Sequence, residues 1–329
     1  MELLVPPQIR DQAAEWTTGT DAQIRVLRMG LVPRLLECLA LFLRRRPAVV
    51  HVNHAVSPVL MAARLAGVQA RFVTDHVLPL RPSYNKRGEA LRMLTMSSAT
   101  DVVVFSRQNM LLAAKSWRTL PVHTIAAGVP EASCPCHPFA IRKELGISSA
   151  ATIVGLVGRL TAQKRQQVFL RAIAGLRDNG VNVHGLLVGE GEDREDIESS
   201  ISALRLADCI TLTGNRGDVG CLLQAMDIYA QPSAWEGICF ALLEAMSAGL
   251  PCVVTDIPVF REVVGGIDAP LVPVDDEPAL TAAISEFVMD GARANNSGTS
   301  GRKRWAELYT VERMAFAHNA AYRSEVAEW

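Results

Sequence analysis

Two glutamates separated by seven residues have the types and spacing of groups that bind a polar ligand. Glu236 precedes a stretch in which apolar residues recur at helical spacing, and Glu244 lies within that stretch. The backbone N–H groups at the start of this helix are those of Gly237, Ile238, Cys239 and Phe240. Because a helix start attracts anions and glycine permits close approach, the segment predicts an anion or hydroxyl site. The alternative is an ordinary strand–helix unit with one surface glutamate and one on a helix face.

Two cations lie on an earlier turn, in the segment 155–164 (GLVGRLTAQK). Arg159 and Lys164 follow an apolar run that is typical of a buried strand, and they precede a predicted helix. A forked guanidinium and a flexible ammonium above a helix start would bind a diphosphate well. The alternative is that both cations are solvated on an ordinary turn.

Strands and helices alternate along the whole chain, and they would position these residues. Such alternation predicts an α/β protein with parallel sheets and two Rossmann-like domains, because right-handed crossovers join parallel strands. Ligands of such sheets bind beyond the carboxyl ends of strands. His54, His76 and Ser106 all fall at predicted strand ends, so His76 is a further candidate for the site.

The predicted domain boundary lies in a Pro- and Cys-bearing linker near residue 140. We therefore expect a first domain over 1–140 and a second over 141–305. A terminal helix over 306–329 is expected to pack back on the first domain. Residues 291–301 (GARANNSGTSG) are rich in Gly, Ser and Asn, which predicts a mobile loop.

Composition excludes some classes of function. The chain has 329 residues, 49% of them hydrophobic, which suits two globular domains with full cores. Its net charge of −1 gives no support for nucleic-acid binding. Residues 1–145 hold 18 Lys and Arg against 10 Asp and Glu, and the rest hold 15 against 24. This asymmetry indicates either two domains with different partners or chance surface composition.

The seven cysteines do not resemble the disulfide framework of a secreted protein. Cys134-Pro135-Cys136 lacks a second Cys or His pair at zinc-finger spacing, so we expect a reduced loop and no metal. No apolar run reaches the roughly 18 residues of a membrane span, and the opening residues do not fit a signal peptide. These features together predict a reduced, cytoplasmic protein.

One predicted helix in the first domain has an apolar face that ends in three arginines. Its apolar residues are Val32, Leu35, Leu36, Leu39 and Leu43, and Arg44-Arg45-Arg46 follow. Cations at a helix end complement the helix dipole. The alternative is peripheral contact with an anionic membrane, at its inner face in a cytoplasmic protein.

The segment around the two glutamates resembles a known family. Glu236-Gly237 and the run Glu244–Pro251 (EAMSAGLP) are similar to the donor-binding motif of family-four retaining glycosyltransferases of the GT-B fold. The segment 155–164 resembles the family's G-R-L-x-x-x-K segment, and 73–76 (VTDH) resembles the strand whose terminal His faces the donor sugar. IAAGVP (125–130) resembles the interdomain segment IPNGVD, with three departures. The resemblance covers about residues 30–325.

The resemblance implies metal-independent transfer of a hexose from a nucleoside-diphosphate sugar to a hydroxyl acceptor, with retention at the anomeric carbon. Arg159 and Lys164 would stabilise the departing diphosphate, and Glu244 would bind the ribose. Glu236 would orient a sugar hydroxyl, and His76 would contact the sugar from the first domain. The backbone around Asn215 and Arg216 would read the base. No cofactor is expected beyond this donor substrate.

Two other readings stay open. One is an epimerase or phosphorylase on the same fold, and the other is a non-catalytic protein that binds a sugar nucleotide. The family begins with a strand, a Gly-rich loop and a helix, and the opening residues instead resemble its second strand. We therefore expect the first domain to be incomplete, with further coding sequence upstream.

Overall fold

The structure is a computed structural model of the chain and describes residues 2–5, 23–26, 30–53, 57–76, 86–135 and 137–327. His54 and Cys136 lie outside these residues, so the predictions that concern them stay untested. Within the described part, no helix has both the length and the apolar character that crossing a membrane requires.

The described strands run in chain order as β1 (Glu2–Val5), β2 (Gln23–Val26), β3 (Val49–Val52), β4 (Ala70–Thr74), β5 (Asp101–Val104), β6 (Val122–Thr124), β7 (Thr152–Val157), β8 (Val183–Val188), β9 (Ile210–Leu212), β10 (Ile228–Gln231), β11 (Cys252–Thr255) and β12 (Leu271–Val272). The described helices are α1 (Leu31–Arg45), α2 (Pro58–Leu65), α3 (Lys86–Ser98), α4 (Arg107–Ser116), α5 (Pro138–Glu144), α6 (Gln166–Asp178), α7 (Arg194–Ala203), α8 (Val219–Ala225), α9 (Phe240–Ser247), α10 (Pro258–Val263), α11 (Glu277–Met289), α12 (Gly291–Leu308) and α13 (Val311–Ala327).

The first of two compact units contains a parallel sheet in the order β3-β4-β5-β6. β5 (DVVV) is buried along its whole length, as expected of a parallel strand covered on both faces. Val102 and Val104 share a core with Leu60 of α2 and Met96 of α3. β1 and β2 pair in parallel as a separate two-stranded sheet.

The second unit contains a six-stranded parallel sheet in the order β12-β11-β10-β7-β8-β9. Its core includes Leu156 of β7, Phe169 and Ile173 of α6, and Leu187 of β8. β10 lies beside β7, with Tyr229 opposite Gly155. The carboxyl ends of these two strands are therefore neighbours, and so are the loops that follow them. The expected α/β fold with parallel sheets in two units is confirmed.

The units differ in extent from the predicted domains. The chain passes to the second unit at Ala126, earlier than the expected boundary near 140, apart from Ser106–Gln108, which also group with the second unit. The terminal helix, expected over 306–329, is α13 over Val311–Ala327. Its residues from Ala317 onward group with the first unit.

The mobile loop predicted over 291–301 is wrong, because these residues form the first part of helix α12. The Asp290 side chain caps the helix by accepting a hydrogen bond from the Arg293 N–H at 2.9 Å. A Cβ atom on Gly298 would lie 2.0 Å from the Gly249 carbonyl oxygen. The small residues therefore permit close approach between α12 and the turn after α9.

The expectation of a reduced loop at Cys134 is also wrong, since Cys134 forms a disulfide bond with Cys221 of α8. The other described cysteines are free and buried: Cys38, Cys209, Cys239 and Cys252. The bond joins the segment before α5 to a helix 87 residues later in sequence. Gln224 donates a hydrogen bond to the Ala132 carbonyl at 3.0 Å and joins the same two parts of the chain.

Candidate functional site

The turn after β7 brings Lys164 to the carboxyl edge of the second sheet. The Lys164 N–H donates to the Thr161 carbonyl at 2.9 Å, and α6 begins two residues later. Gly158 leaves room for the lysine stem, because a Cβ atom there would lie 3.2 Å from Lys164 Cε. The turn thus places the lysine side chain against the end of the strand that precedes it.

Close backbone packing against the loop after β8 fixes the position of this turn. A Cβ atom on Gly189 would lie 2.2 Å from the Gly158 carbonyl oxygen, and one on Gly191 would lie 2.1 Å from the Leu160 carbonyl oxygen. The Leu160 N–H donates to the Glu190 carbonyl at 2.9 Å. Only glycine permits such approach of two backbones, so the two loops hold each other in place.

Lys164 and Glu236 form a buried ion pair. Lys164 Nζ lies 2.6 Å from Glu236 Oε1, and the side chains are 15% and 4% exposed. Gln163 donates to Glu236 Oε2 at 3.1 Å and to the Trp235 carbonyl at 2.8 Å. Burial disfavours the charge on Lys164, but the charge of Glu236 and its hydrogen bond favour it, and the pKa of Lys164 is raised. Lys164 therefore keeps its positive charge at the sheet edge.

A chain of buried hydrogen bonds continues from Glu236 into the core. Ser233 donates to Glu236 Oε1 at 2.7 Å, and Gln231 donates to Ser233 at 2.7 Å. The Tyr229 hydroxyl donates to Gln231 Oε1 at 2.5 Å, which orients the amide with its NH₂ toward Ser233. Every donor along this chain points toward Glu236. The chain therefore fixes the position of the Glu236 side chain.

The sequence analysis did not identify Ser233, Gln231, Tyr229 or Gln163. Tyr229 and Gln231 belong to a run, IYAQ, that is buried throughout as β10. The available signal was polar side chains within an otherwise apolar strand, since buried polar groups need partners. Gln163 binds residues more than 70 positions away, so its role had no local signal.

Glu244 lies on α9, where its side chain is half-buried. Burial raises the pKa of this carboxyl group. In the described part of the chain, its side chain makes no hydrogen bond or ion pair. It is a partly buried acceptor that a ligand hydroxyl would satisfy.

The predicted helix start is present, since α9 begins at Phe240 with Cys239 as its N-cap. The Cys239 side chain makes no capping hydrogen bond to the helix. Cys239 is buried, and burial raises the pKa of its thiol to about 12, so the thiol is neutral. Gly237 and Ile238 precede the cap and are half-buried, whereas Phe240 is exposed. The positive end of the helix dipole therefore lies beside the Lys164–Glu236 pair.

Arg159 is exposed on the same turn as Lys164. Its carbonyl accepts a hydrogen bond from Gln166 at 2.9 Å, while its guanidinium forms no ion pair with any residue that the structure describes. The positive charge of Arg159 acts on Lys164, which places the two cations in one electrostatic environment. The turn thus carries one paired and one unpaired cation.

Arg216 has its guanidinium engaged by carboxylates. It lies 2.7 Å from Asp218 and 2.9 Å from Glu144, and these hydrogen bonds raise its pKa. The side chain therefore braces the loop after β9 against α5. Any contact of this loop with a base falls to its backbone.

His76 follows β4 in the first unit, with its ring 5.0 Å from that of Phe105. All other predicted site residues lie in the second unit. The structure thus brings Lys164, Glu236 and the α9 start together, with Arg159 on the same turn. Among the described residues, the one group of three metal-ligating side chains lies in the first unit and includes none of the predicted site residues.

Comparison with known proteins shows which families and proteins the chain is similar to. Residues 151–290 match the family model described as Glycosyl transferases group 1. A lipopolysaccharide core biosynthesis mannosyltransferase of Rhizobium meliloti is 30% identical over 56% of this chain and 54% of its own length. An Escherichia coli UDP-Gal:alpha-D-GlcNAc-diphosphoundecaprenol alpha-1,3-galactosyltransferase is 28% identical over 68% of this chain and 61% of its own. The chain thus spans little more than half the length of these two relatives.

Solved structures share the fold. Anabaena Alr3699/HepE in complex with UDP-glucose superposes with a TM-score of 0.81 at 18% identity, over 99% of this chain and 92% of that one. The sucrose-phosphate synthase of Thermosynechococcus elongatus gives 0.78 at 21% identity, over 93% and 84%. The segment of this chain that matches the glycosyl transferases group 1 model, residues 151–290, contains Arg159, Lys164, Glu236 and Glu244.

Proposed function

We propose that this chain is a retaining glycosyltransferase that moves a hexose from a nucleoside-diphosphate sugar to a hydroxyl acceptor without a metal. The observation that carries the proposal is the buried Lys164–Glu236 pair beside the start of α9. It lies within the segment that matches the glycosyl transferases group 1 model. The resemblance of the motif to the retaining family supports the stereochemistry.

The cations would bind the diphosphate. Arg159 is exposed, and its guanidinium is unpaired among the described residues. Lys164 stays charged, so one turn carries two positive charges. During transfer, the bond from the anomeric carbon to the phosphate oxygen breaks and negative charge grows on the diphosphate. Fixed cations and the α9 dipole would stabilise that charge.

The two glutamates would bind hydroxyl groups. The Glu244 carboxyl group has no described partner and would accept hydrogen bonds from the ribose. Glu236 would orient a sugar hydroxyl and offset the positive charge of an oxocarbenium-like state. Neither glutamate is assigned as a nucleophile. The acceptor oxygen would instead attack on the face that the phosphate leaves, and the phosphate would take its proton.

Lys164 and Glu236 bind each other, although each is assigned to a different part of the donor. Because the Lys164 ammonium donates a hydrogen bond to Glu236 Oε1, a diphosphate would compete with the carboxylate for this ammonium. If Lys164 turned to a diphosphate, the Ser233 hydroxyl would still donate a hydrogen bond to Glu236 Oε1. The ion pair thus couples diphosphate binding to the availability of the sugar-binding carboxylate.

The remaining assignments extend the proposal. His76 would contact the sugar from the first unit, and the backbone around Asn215 and Arg216 would contact the base. Anabaena Alr3699/HepE is in complex with UDP-glucose, and a nucleotide sugar of this class is the donor proposed here. The acceptor is a hydroxyl of a glycan, a lipid-linked sugar or a small molecule. Nucleic acid is not a partner.

Peripheral membrane contact is part of the proposal for the partners. Val32, Leu36 and Leu43 of α1 are 56–60% exposed, and the successive offsets of four and seven residues place them on one stripe. Arg44 and Arg45 end this helix. An exposed apolar stripe with adjacent cations suits an anionic lipid surface. Co-sedimentation with anionic and neutral vesicles tests it, and equal binding to both would contradict it.

Titration of the purified chain with nucleoside mono- and diphosphates tests the donor assignment. We expect a diphosphate to bind more tightly than its monophosphate, because the second phosphate meets Arg159 and Lys164. The sugar nucleotide of the preferred base is then assayed for sugar transfer or hydrolysis. Epimerised sugar nucleotide would indicate the epimerase, consumption of phosphate the phosphorylase, and binding without any turnover a non-catalytic protein.

A further inference from the structure

A cluster of three metal-ligating side chains lies in the first unit. Asp101 begins β5, His123 lies in β6 and Glu325 lies near the end of α13. One ligand atom of each residue lies within 4.8 Å of the ligand atoms of the other two. Three elements that are distant in sequence thus converge on one small volume.

The buried Asp101 carboxyl group is only partly hydrogen-bonded by the residues that the structure describes. The residue is fully buried, and its Oδ1 accepts a hydrogen bond from His123 Nε2 at 2.8 Å. Its Oδ2 is also buried and has no hydrogen-bond partner among the residues that the structure describes. An unsatisfied buried carboxylate oxygen calls for a bound ion or water as its explanation.

Arg71 does not hydrogen-bond this oxygen. It acts on Asp101 through charge, but its Nε and Nη1 groups donate to backbone carbonyls. Its Nε donates to the Ser98 carbonyl at 2.6 Å, and Nη1 donates to the Gln69 carbonyl at 3.0 Å. The cluster therefore combines two carboxyl groups and one imidazole without a cation hydrogen-bonded to Asp101 Oδ2.

We propose that Asp101, His123 and Glu325 bind a divalent transition metal, namely Zn²⁺. Imidazole nitrogen and carboxylate oxygen are zinc ligands at about 2.0–2.2 Å, and ligand atoms around one such ion lie roughly 3–4 Å apart. The 2.8 Å separation of Asp101 Oδ1 and His123 Nε2 is close to this spacing. A rotamer adjustment of Glu325 on its helix brings the third atom in.

The role of this site is structural. Asp101 and His123 belong to neighbouring strands of the first sheet, with β5 and β6 in register, whereas Glu325 comes from the last helix. An ion bound by all three residues would therefore link α13 to the sheet of the first unit. None of the three residues belongs to the donor-site assignments, so the inference stands whether or not the proposed transfer is correct.

Zinc binding by the full chain, measured by calorimetry with Zn²⁺ alone after chelator treatment, tests the proposal. We expect one ion per chain. The informative variant is Glu325→Gln, because this half-buried helix residue can change without emptying the core. It should bind at least about tenfold more weakly. Glu312→Gln, on the exposed part of the same helix, is the matched control and should bind as the parent does.

Thermal unfolding provides a second, independent readout. Zn²⁺ should raise the unfolding midpoint of the parent and of Glu312→Gln, and it should raise that of Glu325→Gln and His123→Gln much less. Circular dichroism of the metal-free variants shows whether each is folded. No zinc binding by the folded parent would overturn the proposal, as would unchanged affinity in both folded ligand variants.

Discussion

Lys164 and Arg159 lie on one turn but differ in what their side chains touch. The Lys164 ammonium is buried against Glu236, whereas Arg159 is exposed, with its guanidinium free of ion pairs among the described residues. Substitution of Arg159 therefore removes a positive charge that could bind the ligand, and it breaks no ion pair among the described residues. Removing Lys164 also leaves the buried carboxylate of Glu236 without its ion-pair partner.

Arg159→Ala should lower kcat/KM by about 2–4 kcal/mol of transition-state stabilisation and leave the free energy of unfolding near that of the parent. Lys164→Ala should lower both, the second by about 3 kcal/mol, because a buried ion pair is broken. Steady-state kinetics and urea unfolding measure the two quantities. Arg171→Ala, on the exposed face of α6, is the control. Full activity of both site variants would refute the cation assignment.

Glu244→Gln should weaken binding of the nucleoside diphosphate by about 1.5–3 kcal/mol, because the ribose loses a charged acceptor. The raised pKa of Glu244 adds a test in pH. As pH falls through this raised value the carboxylate is protonated, so affinity should fall at a higher pH than for an ordinary glutamate. The variant should lack this step. Calorimetry across pH measures both, and identical profiles would mean that Glu244 does not bind the ligand.

At the scale of elements, the neighbouring ends of β7 and β10 form the candidate site. The sequence predicted its place because the loops that follow both strands resemble the family's motifs.

Helix α12 shows where the prediction of secondary structure failed. Its Gly, Ser and Asn residues favour a loop by intrinsic propensity, yet the segment is helical because Gly298 packs closely on Gly249. The role of Gln163 was missed for a related reason. It binds Glu236, 73 positions away, and one sequence cannot pair such residues.

The packing of α12 yields a stability prediction. Gly298→Ala would place a Cβ atom 2.0 Å from the Gly249 carbonyl oxygen, so the backbone of one segment has to shift. We expect the free energy of unfolding to fall by about 2 kcal/mol or more. Gly291→Ala is the matched control, since its Cβ atom meets nothing within 4 Å and alanine favours the helix. Equal denaturation midpoints for the two variants would contradict this account of the packing.

At the scale of the whole molecule, the two units carry different chemistry. The predicted cationic turn and both glutamates belong to the second unit, and the described trio of metal-ligating residues belongs to the first. Any effect of metal on the protein therefore has two separable sources. A metal that acts in transfer would act with the second unit, whereas a structural zinc would act on the stability of the first.

We expect sugar transfer to survive brief treatment with a chelator, because Arg159 and Lys164 are proposed to stabilise the leaving diphosphate. The assay compares initial rates with and without EDTA. Loss of activity that Mg²⁺ or Mn²⁺ restores would contradict metal independence. Loss that Zn²⁺ restores, and that is absent in Glu325→Gln, would instead belong to the cluster in the first unit.

The division of α13 between the units has a consequence for synthesis on the ribosome. His51 Nδ1 of β3 and the Tyr322 hydroxyl share a hydrogen bond of 2.5 Å, and burial lowers the pKa of His51 to about 3, so its ring is neutral. These partners are 271 positions apart. Domains usually fold from the N-terminus as they emerge. Here the first unit lacks Tyr322 until the second unit has been synthesised, so the second unit, which ends at Phe316, can complete its fold before the first.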